Sequence, residues 1–300
     1  MSFYQENVDE ITTLQLVSQI IGKIKLEYAH QQPQWAHVVL DITPRGFTTG
    51  LLKQDEEIFD IEVDLVHNRI IVETATGDRT IDLADGKTIR SYYEEIMTAC
   101  SALGLEISIY TTPQEMKTTT PFENDEAHHH YNPKISRKIL KWFQYASDAE
   151  SMFLAPLRIR KVLPGLFWGT FDVSCIAIYD QSEPFADDSK IIERAAFDEH
   201  MIEFGFWLGD DKYKDPTFFV LPYPFVSDTV LEVDNSFPAG SYFEADMAEY
   251  LYEMKYDRHE DDKEKIVQFF KASFIKSQAY LEWENPDHCF SSLRMNKNKR

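Results

Sequence analysis

The sequence predicts an α+β fold: an antiparallel meander with helices on one face in the N-terminal half, followed by a second half of helices plus sheet. Three observations predict it. Between Val38 and Leu83 apolar residues recur at period two with turn residues at the joints. Stripes of helical period stand on both sides of that stretch. The second half runs through a similar loose order of elements, with no repeat at a fixed period.

In chain order, Thr12 and Gln15 have capping-box spacing, and Leu14, Val17, Ile20, Ile21, Ile24 and Tyr28 mark a first helix to about His30, with Gln19 and Lys23 on its other face. Val38, Leu40 and Ile42 alternate with their neighbours, and Pro44-Arg45-Gly46 turns the chain into Phe47 to Leu52, a hairpin. Ile58 to Val66 is the clearest strand, with Phe59, Ile61, Val63 and Leu65 facing in and Asp60, Glu62 and Asp64 facing out. Turns at His67-Asn68 and Thr76-Gly77-Asp78 set off Arg69 to Thr74 and Arg79 to Leu83. A helix follows from Thr88 to Leu103, stopped by Gly104, and Leu105 to Tyr110 alternates again as if returning to the sheet. The polar stretch Thr111 to Tyr131, with Pro113, Pro121 and His128-His129-His130, reads as a linker. It separates an N-terminal α+β half, 1–131, from a C-terminal one, 132–300, as two domains or as one continuous domain.

Asn132-Pro133 opens the next helix, with Ile135, Ile139, Trp142, Ala146 and Met152 as its stripe and Pro156 as its end. Leu166 to Asp172 reads as a strand: Phe167 and Phe171 face the core, while Trp168, Thr170 and Asp172 line a pocket. A polar loop from Asp180 to Ser189 leads to a helix from Ile191 to Phe204 that carries Glu199, His200 and Glu203, and then to the aromatic cluster Phe204 to Asp210. Phe218 to Leu221 and Tyr250 to Tyr256 are later strands. Ile266, Phe269, Phe270, Phe274 and Leu281 mark a last amphipathic helix terminated by Asn285-Pro286.

Composition narrows the function classes. With 51 acidic and 30 basic side chains the formal charge is −21, which repels phosphate backbones and anionic lipid surfaces. Neither nucleic acid nor membrane is an expected partner; a small molecule is. The basic run Arg294 to Arg300 reads as a frayed solubilising tail. Cys100, Cys175 and Cys289 are too widely spaced for a disulfide framework or a zinc site and read as reduced, structural thiols. The N-terminus has no basic and apolar leader, and no stretch reaches about eighteen uncharged apolar residues, so the expectation is a soluble, cytoplasmic protein.

Several ordered segments carry a resemblance: Ser18-Gln19-Ile20-Ile21-Gly22-Lys23-Ile24, Trp35 with His37, Thr43-Pro44-Arg45-Gly46-Phe47-Thr48-Thr49, Phe167-Trp168-Gly169-Thr170-Phe171-Asp172 and Gly205-Phe206-Trp207. In this order they resemble the signature of the uncharacterised bacterial family of unknown function DUF5996, over nearly the whole chain. The resemblance implies no activity, cofactor or catalytic residue. The chain departs from the family pattern at Glu199-His200, where the order His-Glu is expected, at Leu208, where a proline is, and near Gly165, where a histidine is.

The residues themselves leave two classes open. One is a small-molecule-binding protein with an aromatic-lined site built from Trp168 and Trp207, with Gln19, Lys23, Arg45, Thr48 and Thr49 as polar contacts. In that reading Arg45 and the two threonines hold an anion; the bland reading is a polar hairpin. The other is an enzyme, hydrolytic or acid-base and optionally metal-dependent, with Asp172 and His200 as its proton-handling pair. Asp172 also reads as a strand aspartate bonded to a turn, and Glu199, His200 and Glu203 read either as metal ligands on one helix face or as a solvated acidic face. No G-x-S-x-G, glycine-rich phosphate loop or paired C-x-x-C is present, so no cofactor is named.

Overall fold

The computed structural model describes residues 2–226, 232–254 and 262–293; the run 294–300 and the end of the strand expected at Tyr250 to Tyr256 lie outside them. The fold is α+β with two antiparallel sheets. The chain divides into two units. The first holds Met1–Tyr145, Gly165–Val173 and Trp207–Asp215; the second holds Ala146–Pro164, Ser174–Phe206 and Pro216–Arg300.

In the first unit a short helix α1 (Phe3–Glu6), closed by a capping box between Ser2 and Gln5, precedes α2 (Val8–Tyr28). The helix begins upstream of the expected Thr12 and Gln15 box because those side chains are otherwise engaged. Thr12 donates to the Val8 carbonyl at 2.7 Å, and Gln15 reaches the Gly169 carbonyl at 2.6 Å. From Ile11 to Lys25 the helix is buried nearly all round, Ser18, Gln19 and Lys23 included. A helix with no wet face is a central element, and the polar residues on it require partners.

Six strands follow: β1 (Asp41–Ile42), β2 (Gly46–Thr48), β3 (Leu52–Gln54), β4 (Glu57–Asp64), β5 (Arg69–Thr74) and β6 (Gly77–Asp82). The order is β1-β2-β4-β5-β6, with β3 also on β4. Register follows the alternation: Phe47 opposes Val63, Ile61 opposes Val72 and Ile70 opposes Ile81. Upstream, Val38 lies at the end of a 3-10 segment, Pro33–Val38, rather than in a strand. The hairpin at Pro44 is as expected, and Gly46 is required there because a β-carbon would stand 1.8 Å from the Val63 carbonyl oxygen. Helix α3 (Ile89–Ala102) is capped by Thr88, and Gly104 follows it with a φ of +83°.

Two stretches differ from their sequence reading because their backbone groups find partners outside any strand ladder. Leu105 to Tyr110 is not a strand. The Gln54 amide accepts from the Glu106 N–H (2.9 Å) and donates to its carbonyl (2.7 Å), doing the work of a neighbouring strand. The supposed linker is ordered by helix α3, whose N-terminal N–H groups need acceptors. Ile89 donates to the His128 carbonyl and Arg90 to that of Asp125. Phe122 and Asp125 are buried within it. Asn132 then accepts from Lys134 at the start of α4 (Pro133–Leu154).

The second sheet has the order β11-β12-β10-β9-β8-β7, from β7 (Arg160–Phe167), β8 (Asp172–Ser182), β9 (Glu199–Trp207), β10 (Thr217–Tyr223), β11 (Ser241–Glu244) and β12 (Glu249–Glu253). Leu166 to Asp172 is thus not one strand but the end of β7, a turn and the start of β8. Phe171 takes a φ of +63° and its N–H closes the turn on the Phe167 carbonyl at 3.0 Å. The helix expected from Ile191 to Phe204 stops after α5 (Ile191–Ala196), and Glu199 onward is β9. An interior strand buried on both faces loses its period-two signature, so apolar spacing alone does not distinguish it from a helix. Helix α6 (Asp262–Tyr280) ends before Asn285-Pro286, which instead opens the short α7 (Pro286–Cys289). Phe153, Phe204, Phe218, Phe270 and Phe274 form a continuous ring cluster with centroids 4.9 to 6.2 Å apart, each buried ring contributing about 1.5–3 kcal/mol.

Candidate functional site

In the first unit Gln19, Lys23 and Trp168 come together. One face of α2 presents Gln15, Gln19, Gly22 and Lys23 at helical spacing, and the turn after β7 lies against it. Gln15 and Gln19 both donate to the Gly169 carbonyl, at 2.6 and 3.3 Å. The Gln19 amide also clamps Gln114, donating to its carbonyl at 2.7 Å and accepting from its N–H at 2.9 Å. Trp168 is fully buried and donates from Nε1 to the Val38 carbonyl at 2.9 Å. A β-carbon at Gly22 would stand 2.2 Å from the indole, and one at Gly169 would stand 2.3 Å from Glu115 Oε2. The turn and the helix are therefore in close-packed contact.

Lys23 is the unusual member. It is 2% exposed, and among the described residues Nζ has one hydrogen bond, to Gln114 Oε1 at 3.2 Å. The ammonium lies 5.1 Å from the Tyr110 ring centroid and 5.7 Å from that of Trp168, and no carboxylate among the described residues forms an ion pair with it. Burial lowers its pKa to about 8, with Glu27 on the same helix pulling the other way.

Arg45, Thr48 and Thr49 gather at the hairpin, where carboxylates of the chain itself engage them. Arg45 pairs with Glu62 at 2.7 Å and with Asp64 at 3.4 Å, Thr48 donates to Asp60, and Thr49 lies 3.1 Å from the same Asp60 oxygen. Asp64, expected on the outer face, is fully buried. It accepts from the Val66 and His67 N–H groups and meets His67 Nδ1 at 2.7 Å. Burial works to raise the Asp64 carboxyl, but the His67 hydrogen bonds and the charges of His67 and Arg45 outweigh it and hold the pKa below its usual value. Asp125 and His128 repeat the motif, with Nδ1 to Oδ2 at 2.7 Å and the Ala127 and His128 N–H groups on Oδ1.

Asp172 and Trp207 also belong to the first unit. Thr170 donates to the buried Asp172, and Trp207 meets Tyr213 edge to face at 6.0 Å. His200 belongs to the second unit. It is buried on β9 with Nε2 3.8 Å from Glu183, and Nδ1 has no hydrogen-bond partner among the described residues. Burial lowers its pKa, with Glu183 opposing. Because β9 is a strand, His200 points to the opposite face from Glu199 and Glu203, so the three do not share the helix face that a ligand set at that spacing needs. Among the described residues no cluster of three or more His, Cys, Asp or Glu side chains is placed to hold a metal ion.

The second unit contains an open cavity of about 420 Å³. Tyr179 and Trp283 line it and stack with centroids 4.9 Å apart and planes 9° from parallel. Arg158, Arg160, Asp180 and Glu284 stand around them. Both guanidiniums are engaged, Arg158 by the Ser291 and Ser292 carbonyls and Arg160 by Glu199. Gln278 lines the cavity as well; Gln278 Oε1 and Trp283 Nε1 are themselves shut off from solvent, and neither has a hydrogen-bond partner among the described residues. Glu282 and Asn285, on either side of Trp283 in the chain, take φ of +56° and +53°. A non-glycine residue held there stores strain of order 1–3 kcal/mol.

A family model described as a family of unknown function, DUF5996, matches residues 3–288. The chain belongs to that family. No curated protein and no solved structure matches it. No helix among the described residues is long and apolar enough to cross a membrane.

All but one of the signature segments fall wholly in the first unit; the exception, Gly205-Phe206-Trp207, has only its tryptophan there. Their glycines Gly22, Gly46 and Gly169 are explained by contacts that leave no room for a β-carbon. Sequence reasoning missed Tyr110 and Gln114 beside Lys23, because the alternation up to Tyr110 reads as a strand and Gln114 falls in the stretch read as a linker, while both lie in irregular chain. It also missed Tyr179 and Trp283, which are 104 positions apart and meet only in three dimensions. The one available signal was a tryptophan just ahead of Asn285-Pro286.

Proposed function

We propose that this protein binds a small, planar, uncharged molecule in the cavity of the second unit. The observation that carries the proposal is the Tyr179–Trp283 stack on the wall of a cavity of about 420 Å³, large enough for a one- or two-ring ligand. Charge selects against ions, since the two guanidiniums are already engaged and stand beside two carboxylates.

Ligand-observed NMR tests it, with nicotinamide and adenosine as neutral ring probes and benzoate as the anionic counterpart. Both neutral probes should bind and compete with each other, and Tyr179→Leu should weaken them about tenfold, the ~1.4 kcal/mol expected for losing an aromatic contact. No binding of either probe at millimolar concentration, or tighter binding of benzoate that Tyr179→Leu leaves unchanged, refutes the reading.

A further inference from the structure

We propose that Lys23 is a reactive amine that condenses with the carbonyl carbon of a small aldehyde or ketone, at a centre in the first unit separate from the cavity. The geometry sets it apart from the buried Lys25 and the half-buried Lys161. Lys25 donates to the Val39 carbonyl at 2.6 Å and stands 3.7 Å from Asp41. Lys161 donates to three main-chain carbonyls, those of Leu154, Ala155 and Leu157. Burial lowers the pKa of both, but their ammonium groups have more or stronger acceptors than that of Lys23. Lys23 is more deeply buried than Lys25 or the half-buried Lys161, yet among the described residues one side-chain amide oxygen serves its three N–H groups.

The groups facing Nζ are few: Gln114 and Tyr110 from the irregular segment, Trp168 from the turn, and Glu27 from its own helix. Ring faces stabilise a cation only in part, and no hydrogen-bonded carboxylate replaces the lost water. With a pKa of about 8, the neutral amine fraction at pH 7 is on the order of a hundredfold greater than for an ordinary lysine. The aromatic walls suit the apolar body of a carbonyl compound. Tyr110 is 66% exposed although it lies over Nζ, so swinging that ring aside uncovers the amine without unpacking α2.

The step balances without a redox partner. The nitrogen lone pair adds to the carbonyl carbon, and a proton moves from nitrogen to oxygen to give the carbinolamine. The hydroxyl then leaves as water, taking one proton from solvent, and the protonated C=N bond returns that proton to solvent.

The test is reductive trapping on the intact protein with benzaldehyde or glyoxylate and sodium cyanoborohydride, which reduces the C=N bond to a stable secondary amine, followed by peptide mapping. Lys23 should be labelled ahead of the exposed lysines, with a pH midpoint near 8. Tyr110→Ala should speed its labelling several-fold at an unchanged melting temperature. Lys23→Met should remove that one label and leave the others. Label spread over exposed lysines with Lys23 unmodified, in both wild type and Tyr110→Ala, overturns the proposal. So does labelling of Lys23 only in urea. Neither result bears on the cavity, whose probes carry no condensing carbonyl.

Discussion

Gly22 and Trp168 touch so closely that a β-carbon on residue 22 would stand 2.2 Å from two atoms of the indole. Gly22→Ala removes a flexible residue from mid-helix, which in isolation stabilises a helix by about 0.5–1 kcal/mol. Here overpacking dominates, and a net loss of about 1–3 kcal/mol is expected by urea denaturation. Combined with Trp168→Phe, the added cost of Gly22→Ala should shrink, because the smaller ring vacates the space. Strictly additive losses would show that the contact does not set the glycine.

Asp64 ties His67, Arg45 and Arg69 to the end of β4. Its folded pKa lies below the usual carboxylate value, so its contribution is fully present above the unfolded pKa and is lost as pH falls through the folded one. Asp64→Asn should cost about 1–3 kcal/mol at pH 7, and the gap from wild type should narrow as pH drops below about 4. Urea midpoints of the two proteins across that range provide the measurement. A gap independent of pH would mean that the carboxylate charge plays no part.

His200 is depressed by burial, with Glu183 opposing. The unfolded chain takes up the proton first, so this group's contribution is complete above the unfolded pKa of about 6.5 and declines as pH falls through the folded value. NMR titration of the ring protons should give a midpoint below about 6.5. His200→Gln should flatten the stability slope below about pH 6.5. A midpoint above the ordinary value would mean that Glu183, rather than burial, governs the imidazole.

The meander was legible because β4 has a core face and an outer face, so Phe59, Ile61, Val63 and Leu65 keep an undiluted period of two. Helix α3 announced itself by Thr88 and Gly104 for a related reason, since the cap on the Ser91 N–H and the left-handed turn after the helix are both made by residues beside its ends. β9 was misread as helix because a strand covered on both faces has no polar alternate to mark the period, and Leu105 to Tyr110 was misread as strand because its partner is a glutamine side chain.

What the sequence by itself determined is therefore what local chain chemistry carries: the α+β class, the N-terminal meander, the helix caps and the family. Tertiary structure alone decided which polar groups lose water together. Lys23 belongs to one stretch and Tyr110 and Gln114 to another, and Tyr179 and Trp283 lie in two more, with nothing along the chain to pair them. Desolvation and ring stacking act over a few ångströms of space whatever the separation in sequence, so residues that share a site need share no pattern along the chain.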